Sequence, residues 1–358
     1  MSDVLKRIHH VTFLVGNAKQ AAFFYRQAFG FDQVAYQGPE TGCPERTSYV
    51  LRQGDIWLVL TTPLHHADAA NLWLTMHGDG VRDIAFEVDD ATAIHELALQ
   101  RGATSAGEPE VISDEQGSVT VSRIRTYGEV IHTFVQRDGY PGFLPGFETR
   151  EIKGRGVGVY CIDHIVGNVE DRQMDNWVKW YDEVLGMGKF VSYDDKDIST
   201  EFTALRSTVV ATDERHIKFP INEPAAGRKK SQIQEYIDSN LTAGVQHLAL
   251  KTDDILATIK DLRANGVEFL QVPDGYYDEV WERVGEIDED TQKIRDMGIL
   301  VDKDDDGYLL QLFTRPLQDR PTFFVEIIQR AGSESFGKGN FKALFVTIEQ
   351  EQAKRGNL

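Results

Sequence analysis

The chain has 358 residues, 41% hydrophobic and 10% aromatic, which is enough apolar material for two packed domains and too much for a disordered or low-complexity chain. Its 38 basic residues against 57 acidic ones give a formal charge of −19, which opposes a basic face for nucleic acid or an anionic membrane. No apolar run approaches the roughly 18–20 residues needed to span a bilayer, the opening MSDVLKRIHH lacks a signal-peptide core, and Cys43 and Cys161 form no CxxC pair, so the expectation is a soluble cytoplasmic protein without a disulfide framework or a thiolate zinc site.

In chain order, the first segment is IHHVTFLVGNAKQAAFFYRQAFGFD at residues 8–32: a short β-branched strand, then a helix that closes at Gly30. A second strand, GVRDIAFEVDD at 80–90, ends in a pair of aspartates suited to cap the next helix, which stops at Gly102. A third, IHTFVQRDG at 131–139, completes the half. The same three segments then return in the same order. IDHIVGNVEDRQMDNWVKWYDEVLGMGKF at 162–190 closes its helix at Gly186, GVQHLALKTDD at 244–254 leads to Gly266, and FVEIIQRAG occupies 324–332. An ordered triple match of this kind is the signature of an internal duplication. Short runs of alternating polarity predict half-buried strands. The expected fold is α+β: two tandem modules, each a pair of βαβββ units whose sheets curl around a cavity. The Pro-, Gly- and charge-rich stretch at 138–158 marks the boundary, giving a first module at 1–150 and a second at 151–358.

Comparing the halves isolates the candidate chemistry. His164 matches His10, His247 matches Asp83, and Glu326 matches Thr133. The second half therefore carries two imidazoles and a carboxylate on three strands, and the first half keeps one imidazole. A lone strand histidine is ordinarily a hydrogen-bonded core or surface residue, and His9, His65, His66, His77, His95, His132 and His216 are read in that way. The trio is different. Glu326 lies between Phe323-Phe324-Val325 and Ile327-Ile328, where a carboxylate is costly unless it is paired or metal-bound. Arg330 and Lys251 are the candidate partners for a simple ion pair. Two His and one carboxylate with open positions suit non-haem Fe(II), while zinc or manganese would accept the same ligand types.

Longer strings carry a resemblance. Residues 206–250 (RSTVVATDERHIKFPINEPAAGRKKSQIQEYIDSNLTAGVQHLAL), 275–284 (GYYDEVWERV), 307–330 (GYLLQLFTRPLQDRPTFFVEIIQR) and 336–345 (FGKGNFKALF) resemble the 4-hydroxyphenylpyruvate dioxygenase family of the vicinal oxygen chelate superfamily. The resemblance implies paired βαβββ modules, with an iron site in the second half only. Carried onto this chain, it makes His164, His247 and Glu326 the Fe(II) ligands. Ser207, Asn222, Gln232, Gln246, Gln311 and Asn340 become polar substrate residues, with Asn222, Gln246 and Gln311 closest to the catalysis, and Phe313 and Phe336 become the aromatic walls. Amide and hydroxyl groups at the ends of an apolar slot suit a phenol joined to a keto acid. Read without the resemblance, Gln232 and Asn340 would be a helix-surface amide and a cap, and the two phenylalanines plain core.

The activity implied is Fe(II)- and O₂-dependent conversion of 4-hydroxyphenylpyruvate to homogentisate and CO₂ in tyrosine catabolism. The implied first module is metal-free, with a structural or oligomerising role in a homodimer or homotetramer. The alternatives are 4-hydroxymandelate synthase, which hydroxylates the benzylic carbon of the same substrate, extradiol ring cleavage, and a metal-free small-molecule binding protein. Asn222 within PINEP favours the homogentisate branch. Phe341, Leu344, Phe345 and Ile348 fall on one helical face, and the resemblance makes this C-terminal helix a lid over the pocket. The acidic run DKDDDG at 302–307 lacks the closing Glu of a calcium loop and reads as a hairpin turn.

Overall fold

The computed structural model describes residues 4–195, 200 and 202–357. In the first half, strands β1 (Arg7–Leu14), β2 (Asp32–Gln37), β3 (Arg46–Gln53) and β4 (Ile56–Pro63) surround helix α1 (Ala18–Ala28) in sequence. After α2 (Ala69–His77) the pattern repeats as β5 (Gly80–Glu87), α3 (Ala91–Gln100), β6 (Ser105–Asp114), β7 (Gly117–Arg125) and β8 (Ile131–Gln136). A further strand, β9 (Glu148–Ile152), pairs with β2. The sheet order is β6-β7-β8-β5-β1-β4-β3-β2-β9.

The second half comprises β10 (Val159–Asn168), α4 (Met174–Leu185), β11 (Gly188–Tyr193), β12 (Ala204–Ala211) and β13 (Lys218–Ala225), then α5 (Gln232–Asn240). It continues as β14 (Gly244–Thr252), α6 (Ile255–Ala264), α7 (Tyr276–Val284), α8 (Thr291–Asp296), β15 (Leu300–Lys303), β16 (Tyr308–Phe313) and β17 (Phe324–Ala331), and closes with α9 (Phe341–Lys354). Its sheet order is β11-β12-β13-β10-β14-β17-β16-β15. The correspondence with the first half is close: β1 and β10 each pair antiparallel with the strand that opens the next unit and parallel with the strand that closes their own. The chain passes from one sheet to the other between Ile152 and Val159.

Local sequence explains the helix limits. Asp90 accepts hydrogen bonds from the Thr92 and Ala93 amides, and Asp254 accepts one from the Ala257 amide, so both aspartate pairs cap as expected. Gly186 closes α4 in the left-handed region, at φ 70°. At Gly30, with φ 74°, the backbone of Gly156 passes so close that a Cβ would lie 2.8 Å from its nitrogen, so a side chain is excluded where the linker crosses α1.

The expected polarity alternation fails in the central strands. From Asp163 onward β10 is wholly buried, and β14 is buried at every position except Lys251. These central strands also meet elements beyond their own sheet: β10 contacts β3, β4 and α5, and β14 contacts β5 and α5. Phe13 meets Phe323 edge-on at 5.0 Å and Phe86 lies 6.0 Å from Phe219, within one hydrophobic cluster that runs through both halves. The acidic run forms the β15–β16 hairpin, with the Asp304 amide donating to the Gly307 carbonyl.

Candidate metal centre

The three strands β10, β14 and β17 lie side by side, and their register brings one polar side chain from each to a common point. Ala249 pairs with His164 on one side and with Glu326 on the other, while His247 pairs with Val166. The donor atoms of His164, His247 and Glu326 all lie within 4.8 Å of one another, and each residue is buried. Glu326 Oε2 is 3.2 Å from Nε2 of both imidazoles. His247 Nε2 and Glu326 Oε1 are buried without a hydrogen-bond partner, and orphaned buried polar atoms of this kind are rare unless an ion completes them. Two imidazole nitrogens and a carboxylate oxygen are a donor set that a divalent metal accepts. Burial raises the Glu326 carboxyl, but His164 and His247 outweigh it and bring the pKa down to about 2, so the carboxylate is ionised. Burial lowers His247, favouring the neutral imidazole that ligates.

The ion-pair alternative for Glu326 is not met. Arg330 is committed to Asp163, with Nε and Nη2 each 2.8 Å from a carboxylate oxygen, and Lys251 lies over the Tyr160 ring at 6.0 Å.

The two histidine-bearing strands carry an irregularity that period-two reading could not show. In the β10–β14 ladder the unpaired extra residues include Asp163 and Gln246, each just before one of the two histidines. Such a bulge turns two consecutive side chains toward the same face. Accordingly Asp163 Oδ1 lies 2.8 Å from His164 Nδ1, and Gln246 Oε1 lies 3.0 Å from His247 Nδ1. The first half has its bulges at the equivalent His9 and Arg82. There the chemistry differs: His9 and His10 share a contact between their Nδ1 atoms at 2.7 Å, and the Thr133 hydroxyl donates to Asp83 at 2.5 Å. Burial pushes His10 down to about 3 and Asp83 up to about 6. The counterparts of His247 and Glu326 are thus satisfied by each other, and among the described residues no second three-ligand cluster forms.

A cavity opens beside the trio. Ser207, Asn222, Gln232, Gln246, Gln311, Phe313 and Phe336 all line it. Phe336 meets His164 edge-on at 5.1 Å, and Phe313 approaches His247 at 6.0 Å. Ser207 and Asn222 are register partners on β12 and β13. Phe341, Leu344, Phe345 and Ile348 of α9 close one side, which places the expected apolar face over the pocket. Asn340 is buried; its Oδ1 accepts from the Tyr276 hydroxyl at 2.7 Å and from Arg283 at 3.3 Å, its Nδ2 has no partner, and it stands outside the lining residues, between Phe336 and Phe341. It ends the 3₁₀ turn Lys338–Asn340, which packs on β15. Sequence reading missed Asp163 and also Phe324, which stacks on His247 at 4.7 Å and 22°.

A family model described as the glyoxalase/bleomycin resistance protein/dioxygenase superfamily matches residues 7–119 and 161–312. The chain is 48% identical to a 4-hydroxyphenylpyruvate dioxygenase from Yarrowia lipolytica over 372 residues, covering 99% of this chain and 94% of that protein. It is 48% identical to another from Dictyostelium discoideum, with coverage of 98% and 99%. A solved structure of a triple mutant of 4-hydroxymandelate synthase from Streptomyces coelicolor superposes with a TM-score of 0.88 at 30% identity, covering 98% of this chain and 99% of that one.

Proposed function

The chain belongs to the glyoxalase/bleomycin resistance protein/dioxygenase superfamily and, within it, to the 4-hydroxyphenylpyruvate dioxygenase family; from that premise we propose that the buried trio is its catalytic metal site. The protein is a metal-dependent dioxygenase that takes 4-hydroxyphenylpyruvate and O₂ to homogentisate and CO₂. In this reading the metal is ferrous iron, held by His164, His247 and Glu326. When bound, it supplies a Lewis-acidic anchor for the keto acid and the redox chemistry for O₂.

The remaining work falls to the chain. Phe313 and Phe336 form an apolar slot for the ring beside the imidazoles. Ser207, Asn222, Gln232 and Gln311 offer neutral hydrogen-bonding groups to the phenol and to the keto acid. Gln246 both faces the cavity and holds His247. The apolar face of α9 keeps water from the reacting centre. The single observation carrying this reading is the convergence of three buried donor groups beside that cavity, with His247 Nε2 and Glu326 Oε1 left without hydrogen-bond partners.

The reading assigns 1–150 to a metal-free supporting module with a part in a homodimer or homotetramer, and 151–358 to the catalytic module. Phe23 and Phe24 on α1 and Leu72 on α2 stand exposed and support a self-association face there. The two unpaired cysteines fit a cytoplasmic setting.

The benzylic-hydroxylating reading has the structural likeness to 4-hydroxymandelate synthase in its favour. Product analysis decides between them: purified protein reconstituted anaerobically with Fe(II), then given O₂ and 4-hydroxyphenylpyruvate, yields homogentisate. Mainly 4-hydroxymandelate would overturn the assignment, and undiminished turnover in Glu326→Ala would overturn the site.

A further inference from the structure

We propose that Asp163 is a positioning residue for His164, and that Arg330 and Lys218 anchor it so that one buried charge cluster fixes both a metal ligand and an aromatic wall. The proposal rests on the metal-site reading above. Asp163 occupies a bulge in β10, where a residue can share the face of its successor. Its Oδ1 accepts from His164 Nδ1 at 2.8 Å, so the proton sits on Nδ1 and leaves Nε2, beside Glu326, to serve as the ligand atom.

The carboxylate is itself immobilised. Arg330 holds both of its oxygens at 2.8 Å, and Lys218 Nζ stands 3.3 Å from Oδ1. Three charged groups this deep are costly, and packing alone does not call for them: the same bulge in the first half accommodates the neutral pair His9 and His10. The other ligand, His247, is held by the neutral amide of Gln246, so a charged partner belongs to one ligand only.

Arg330 has a second task. Its Nη1 donates to the carbonyls of Ser333 at 3.0 Å and Ser335 at 2.7 Å, the turn leading into Phe336. The guanidinium then lies 5.5 Å from the Phe336 ring and Lys218 Nζ 5.9 Å from it. The wall and the ligand therefore move with one anchor.

The test uses Co(II) as the probe, titrated optically into the metal-free full chain, together with histidine ¹H–¹⁵N NMR to read the His164 tautomer. Partners of this kind commonly carry about 10–100-fold in metal affinity, so Asp163→Asn is expected to weaken Co(II) binding by that factor and to release the fixed Nδ1–H tautomer. Asp163→Glu should recover part of the affinity. Glu326→Ala should lose binding altogether. An unchanged parent affinity and tautomer in Asp163→Asn overturns the proposal while leaving the site intact, and so does a parent His164 protonated at Nε2, a readout that needs no variant to fold. A parent chain that binds no Co(II) overturns the metal reading and this inference with it.

Discussion

Arg355, just past the end of α9, donates to both carboxylate oxygens of the buried Glu235 on α5, at 3.0 and 2.7 Å. Asn357 adds a third bond to the same carboxylate at 2.8 Å. At mid-helix, Glu349 accepts from Thr203 at 2.6 Å and from Thr200. The apolar face over the cavity is thus held by polar fastenings on its flanks. Arg355→Ala leaves a buried carboxylate short of its cation, which typically costs about 3–5 kcal/mol. Asn357 still donates to that carboxylate, so the expected loss lies at the lower end and falls on α9. Faster amide exchange and proteolysis confined to residues 341–357 is the expected result, with a raised KM for the keto acid. Uniform exchange behaviour would contradict the fastening.

Gly337 predicts a second effect. It sits at φ 74°, and a Cβ there would lie 2.3 Å from Gln311 Nε2. Gly337→Ala therefore strains the backbone by roughly 1 kcal/mol and displaces an amide that lines the cavity. We expect a fall in kcat/KM much larger than the fall in stability, read by steady-state kinetics beside thermal unfolding. Equal, small effects would show that Gln311 has room to yield.

The first-half carboxyl makes a pH prediction. Burial raises Asp83 to about 6 from 3.8, so the native state binds the proton more tightly than the unfolded chain. Its contribution is fully present below pH 3.8 and lost as pH rises through 6. Asp83→Asn removes the ionisation while keeping hydrogen-bonding capacity toward Thr133. The variant should gain about 1 kcal/mol relative to the parent between pH 5 and 7.5, measured by urea denaturation at both. A pH-independent difference would show that Asp83 is ionised throughout.

His132 runs the other way. It is buried, with Nδ1 3.0 Å from the Ile84 carbonyl and Nε2 2.8 Å from the Tyr181 hydroxyl, and burial lowers it to about 4. The unfolded chain therefore binds the proton more readily, and stability is lost as pH falls from 6.5 through 4. Between pH 7 and 4.5 this residue accounts for about 2–3 kcal/mol. His132→Gln should show a shallower acid decline in unfolding free energy, whatever its absolute stability. An identical slope would place the acid sensitivity elsewhere.

How much of this was legible in the sequence depends on the range of the interaction. The duplication, the caps at Asp90 and Asp254 and the three positions whose donor groups converge could be read because each is a local pattern or a match between halves. Asp163 could not: alternation assigns it the opposite face from His164, and only the ladder shows the extra residue. Its one signal was that it replaces His9 at the matching site. The bond from the Tyr276 hydroxyl to Asn340 Oδ1, at the 3₁₀ turn before α9, was equally out of reach of sequence reading, being 64 residues apart in the chain. The burial of β10 and β14 on both faces depends on the second half packing on the first, which no strand records by itself.

Phe13 against Phe323 and Phe86 against Phe219 join the halves through one interior. The half without the three-donor cluster is for that reason not dispensable. Recombination between relatives would yield a folded chimera only where both sides of that seam are exchanged together or left matched, so each half constrains the other.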